Sequence, residues 1–135
     1  MGVPSNPVFQ EGRHDGGYVV WDPSDGQLTR EPILLLAGSG LCGAGLVLGA
    51  VVVGGITKYE PWDPTATDGH QNAVAILYST RNVAAVDKRA VANVRGPMKV
   101  QTAELQWGPN VTTDAQKAAA LAALAALPGG GILHI

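Results

Sequence analysis

The sequence predicts an α+β fold, mostly β, with one Ala/Leu-rich helix near the C-terminus and an extended N-terminal arm. Three observations carry this prediction. The 135-residue chain holds 18 glycines and 9 prolines but only 15% charged residues, a composition of many turns and little exposed charged helix. Its apolar residues fall mostly in short runs bounded by turn formers, the pattern of strands. The exception is residues 114–127, nearly all Ala and Leu, the strongest helix formers. A chain of this size folds as one domain, read here as residues 18–135, with residues 1–17 as the arm.

The arm holds two prolines and four glycines, with Val3, Val8 and Phe9 as its main apolar side chains. That is too little to bury against a core of its own. Its start, Met-Gly-Val-Pro-Ser-Asn-Pro, lacks a basic stretch leading into an apolar one, so no secretory signal is expected. Tyr18–Trp21 reads as a strand, and Asp22-Pro23-Ser24-Asp25-Gly26 as a turn in which proline presets φ and glycine accepts positive φ. Ile33–Ala37 and Leu46–Val53 read as two strands joined by a glycine-rich turn. After a loop at Pro61–Gly69, further strands are expected at Ala73–Tyr78, Ala90–Val94 and Met98–Trp107. Thr113-Asp114-Ala115-Gln116 fits a capping box, in which the Thr hydroxyl and Gln amide satisfy orphan N–H groups of a first helical turn. Leu121, Leu124 and Leu127 give that helix an apolar side, and Pro128 with three glycines ends it. Ile132–Ile135 reads as a last short strand. Trp107, Leu121 and Leu124 are the expected core residues here, Trp107 capping the core just before the helix loop.

Composition and motifs argue against several functions. The net charge is −2, whereas a polyanion partner calls for a clear excess of Lys and Arg. The one basic cluster, Arg81, Lys88, Arg89, Arg95 and Lys99 around Asp87, contains no aromatic residue to stack on bases. No nucleic-acid partner is therefore expected. The lone Cys42 excludes an internal disulfide and sits in an apolar stretch that leaves a thiol inert. His14, His70 and His134 are far apart and none has a partner at metal spacing. Neither a nucleophile elbow nor another catalytic motif is present, so the chain reads as a non-enzyme without cofactor or metal.

Two segments support alternatives. Residues 33–57 carry no charge and are long enough to cross a bilayer, with a GxxxG motif at Gly45–Gly49. Against a span, seven glycines interrupt this segment, and no basic cluster flanks it. No membrane partner is expected. Gly38-Ser39-Gly40-Leu41-Cys42-Gly43 matches a dinucleotide-binding fingerprint, which needs a helix opening at the glycines. The following residues, with four more glycines and Val51-Val52-Val53, are poor material for one. Pro97-Met98-Lys99-Val100 contains the Met-Lys pair of biotin and lipoyl carriers, but its flanks depart from that pattern.

Several segments taken together resemble the lambda-type head decoration proteins of tailed bacteriophages. They are Glu11-Gly12-Arg13-His14, Thr29-Arg30-Glu31, Gly45–Gly49, Asp63-Pro64-Thr65-Ala66-Thr67-Asp68-Gly69, Ala73–Leu77, Leu105-Gln106-Trp107, and Gln116-Lys117 opening the helix. Their shared order and spacing carries the resemblance, from Glu11 over nearly the whole chain. It implies a compact protomer forming a homotrimer on the outer surface of the virion head. There it would bind the major capsid protein of the expanded shell and cement it against the pressure of packaged DNA, after a period in the host cytoplasm during assembly. It also implies that the arm, with Val3, Val8, Phe9, Arg13 and His14, reaches onto the shell and adds an extended segment to capsid strands.

Overall fold

The computed structural model describes residues 14–135, and among these it shows ten short strands and one α-helix. The strands are β1 (Val19–Trp21), β2 (Arg30–Leu35), β3 (Gly40–Cys42), β4 (Val47–Val53), β5 (Ile56–Pro61), β6 (Ala75–Leu77), β7 (Arg81–Val83), β8 (Lys88–Asn93), β9 (Met98–Val100) and β10 (Ile132–His134). The helix α1 spans Asp114–Ala125. The fold is mostly β with one short C-terminal helix.

Five strands close into a barrel in the order β2-β5-β4-β6-β8. Closure abolishes free sheet edges, the usual liability of a small β protein. The β4–β5 hairpin pairs Val53 with Ile56 around Gly54-Gly55. Both glycines have positive φ, the conformation a two-residue hairpin turn of matching twist requires. Leu35, Leu48, Ala75, Leu77 and Ala92 are fully buried and form one core cluster with Ile33, Cys42, Leu46, Val83 and Ala90.

A second cluster lies where β1, β9 and β10 form a small sheet beside the helix. Tyr18, Met98, Val100 and Ile132 pack there with Leu121 and Leu124 of α1. The capping box is present: Thr113 accepts from the Gln116 N–H, and the Gln116 side chain accepts from the Thr113 N–H at 3.1 Å. Helix and last strand are thus fixed to the same core that receives β1.

Several sequence expectations need correction. Met98–Trp107 is not one strand. It stops at Val100, and Thr102–Glu104 forms a 3-10 turn that drops Leu105 into the core. Ala103-Glu104 lacks the β-branched residues that would favour extension. Residues 33–57 form no span but β2, β3, β4 and the start of β5. Among the described residues no helix is long and apolar enough to cross a membrane. The Gly38–Gly43 fingerprint opens no helix. Ser39 N–H closes a turn onto Leu36 O at 3.2 Å, and Gly40–Cys42 pairs with β7, so the pyrophosphate-binding helix end is missing. Lys99 lies mid-strand in β9 rather than at a hairpin tip, which removes the carrier-lysine reading.

Candidate functional site

At the N-terminal edge, His14 to Tyr18 form a turn. Gly16 N–H donates to Tyr78 O at 2.8 Å, which ties this turn to the segment just after β6. His14 is exposed on the turn. Val3, Val8, Phe9 and Arg13 lie outside the described residues.

The sheet that follows exposes apolar side chains on either side of an exposed lysine. Strand register places Trp21 opposite Lys99 and Lys99 opposite Leu133. Trp21 is 47% and Leu133 40% exposed, with Val20 and Ile135 also exposed. β1 and β10 are the two edges of this sheet, and the Val19 N–H of β1 is already paired with Gly16 O at 2.9 Å. A second exposed apolar group sits on the β4–β5 hairpin, where Val52 is 70% and Ile56 55% exposed. Large exposed apolar groups of this kind mark association surfaces more often than catalytic ones.

The basic residues do not gather into one groove. Asp87 pairs with Lys58 at 2.6 Å and accepts from Ala37 N–H. Arg95 is held by Glu31 and by Leu28 O, and Arg81 by Thr80 O. Cys42 is buried, and that burial pushes its thiol pKa up, away from nucleophilic use.

A match to a known family decides between association and other roles. The family model for bacteriophage lambda head decoration protein D matches residues 8–129. The chain belongs to that family. It is a viral structural protein that decorates the phage capsid, and its family is one of virion components rather than of enzymes. No curated protein matches the sequence.

Within this family member, Leu121 and Leu124 sit in the core on α1. Trp107 packs against the same core only partly buried. Its ring meets Trp62 edge-on at 6.1 Å, with Lys117 Nζ 5.8 Å from its centroid.

One side-chain group was missed by sequence reasoning. Glu60 on β5 and Asp68 and His70 on the following loop converge. His70 Nε2 lies 2.7 Å from Glu60 Oε1, and its Nδ1 meets Asp68. Glu60 and His70 border a cleft of about 280 Å³ lined also by Trp62, Asp63 and Asn110. Burial raises the Glu60 pKa, His70 opposes that rise, and Asp68 and Asp63 add to it. The local signal was Asp68-Gly69-His70; Glu60 joins only through the fold.

Proposed function

We propose that this chain acts as a homotrimer bound to the outer surface of the expanded phage head, tying neighbouring copies of the major capsid protein together against DNA pressure. The family match over residues 8–129 is the observation that carries this reading. Its activity lies in contact area rather than in chemistry. Assembly begins in the host cytoplasm, and the trimer joins the shell once expansion creates its sites. A closed three-fold assembly suits a three-fold site because each protomer then presents the same surface to an equivalent neighbour.

The arm is the proposed anchor. Val3, Val8 and Phe9 supply apolar side chains for pockets on the capsid protein, while Arg13 and His14 supply polar contacts. Backbone groups of such a segment pair with an exposed strand. Ordering it costs entropy, offset when three arms of one trimer bind at high effective concentration. The exposed side chains of Trp21 on β1 and Leu133 on β10 offer further contact area.

The test is co-sedimentation with expanded, undecorated heads, comparing the full chain with a variant lacking residues 2–13. Folding of the variant is checked by circular dichroism. The variant keeps its melting temperature and loses most of its binding. Equal saturation of the heads by both proteins would move the anchor to the folded body.

A further inference from the structure

The convergence of Glu60, Asp68 and His70 has no part in the proposed capsid contacts. We propose that these three residues form a binding site for a divalent transition-metal ion of the zinc class.

Each of the three offers one ligand atom, and those atoms lie within 4.8 Å of one another. Mixed imidazole and carboxylate ligands suit zinc and its transition-metal neighbours, whereas calcium takes oxygen ligands alone. Two of the ligands are shielded, the side chains of His70 and Glu60 being 14% and 17% exposed, while that of Asp68 is 61% exposed. The cleft beside Glu60 and His70 leaves room for water or another ligand to complete the coordination.

Charge also favours an ion. Glu60 and Asp68 bear on one imidazole, and Asp63 adds a third carboxylate at the cleft. Among the described residues no lysine or arginine pairs with any of these acids, and the nearby Lys58 is engaged by Asp87. One imidazole cannot balance three carboxylates, whereas a dication reduces the excess.

The backbone holds the ligands in place. Glu60 is paired with Gly49 in the β4–β5 ladder. The loop carrying Asp68 and His70 is tied down by Trp62 Nε1–H to Gln71 O at 2.7 Å and Asp63 N–H to His70 O at 3.2 Å. Such pre-placement lowers the ordering cost of binding. His70 now faces a carboxylate with each ring nitrogen. A neutral imidazole coordinates through its bare nitrogen and keeps its N–H on the other, for the carboxylate that nitrogen faces.

The test uses untagged full-length protein, stripped of metal and titrated with zinc chloride in a calorimeter, with calcium chloride as comparison. The variant H14Q/H134Q leaves His70 as the only histidine, since the chain has three. The expected result is one zinc per protomer for both proteins, with affinities within about threefold, and weaker binding of calcium. Adding His70→Gln or Glu60→Gln weakens zinc binding at least tenfold. Because either change could disturb the loop, the His70 ring signals of folded H14Q/H134Q are also followed by NMR, and they shift on saturation with zinc. Absence of saturable binding, loss of binding in H14Q/H134Q, or an unmoved His70 ring overturns the proposal. Unchanged affinity in both ligand variants does so as well.

Discussion

Gly49→Ala should destabilise this protein although alanine normally favours a strand position over glycine. Gly49 lies within β4 and is not in the left-handed region. The general expectation is a gain of about 0.5–1 kcal/mol from reduced freedom of the unfolded chain. A Cβ at this position, however, would stand 2.6 Å from the His70 Cα, 2.7 Å from its carbonyl carbon and closer still to the carbonyl oxygen. These are backbone atoms, so no rotamer change relieves the overlap. Overpacking of this kind costs about 1–3 kcal/mol. Displacing the loop would also strain the Trp62–Gln71 and Asp63–His70 hydrogen bonds, each contributing about 1 kcal/mol. The overlap wins, with a net loss of about 2 kcal/mol. At about 3–4 °C per kcal/mol for a domain of this size, the melting temperature falls by about 6–8 °C. Gly43→Ala is the control. It too lies outside the left-handed region, but its Cβ would meet only the end of the Gln106 side chain, which can move. Calorimetric melting of both variants decides the matter. Gly49→Ala melting at or above the parent protein refutes the reasoning, because the loop would then not be seated on β4 as described.

Three further outcomes follow from buried or paired groups. Tyr18→Phe removes the hydroxyl that accepts from Asn93 Nδ2 and donates to Ile76 O; Asn93 Oδ1 already lacks a partner. Stranding the amide costs about 1–3 kcal/mol, read as a lower urea midpoint with unchanged slope. Trp107→Ala should cost about 1–3 kcal/mol rather than the 3–5 kcal/mol of a fully buried aromatic, because Trp107 is only partly buried. Capsid binding by this variant should persist, and lost binding without lost stability would make Trp107 an interface anchor. Burial acts to raise the Asp22 pKa, but hydrogen bonds from Thr29, Ser24 and Gly26 outweigh it and hold the carboxyl below its usual value. A depressed carboxylate contributes stability above its unfolded pKa, near 3.9, and that stability disappears as pH falls through the folded value. Asp22→Asn should therefore flatten the acid limb of the stability profile below about pH 4, and an unchanged limb contradicts this assignment.

Local chemistry was legible in the sequence and long-range pairing was less so. The capping box at Thr113 and Gln116 needs only four consecutive residues, so it could be read directly. β5 was hidden because Lys58, Glu60 and Pro61 break any apolar pattern; it is a strand because β4 pairs with it along its length. β3 and β7 are three residues each and hold together by pairing with one another. Met98–Trp107 looked extended from its alternation, yet Leu105 reaches the core only because the chain turns before it. The Glu60–His70 contact joins a strand to the far side of a loop, a proximity that spacing does not encode. The match of family motifs in order carried the function where single residues did not, because a surface that works by contact leaves no catalytic signature.

The central claim is that this chain occupies the outer surface of the expanded head as trimers. Its most direct test is electron cryomicroscopy of expanded, undecorated heads mixed with the purified full-length protein. The account predicts added density outside the shell, grouped about three-fold positions and bridging adjacent capsid subunits. Heads that remain bare at saturating protein, or density that is monomeric or inside the shell, would contradict it.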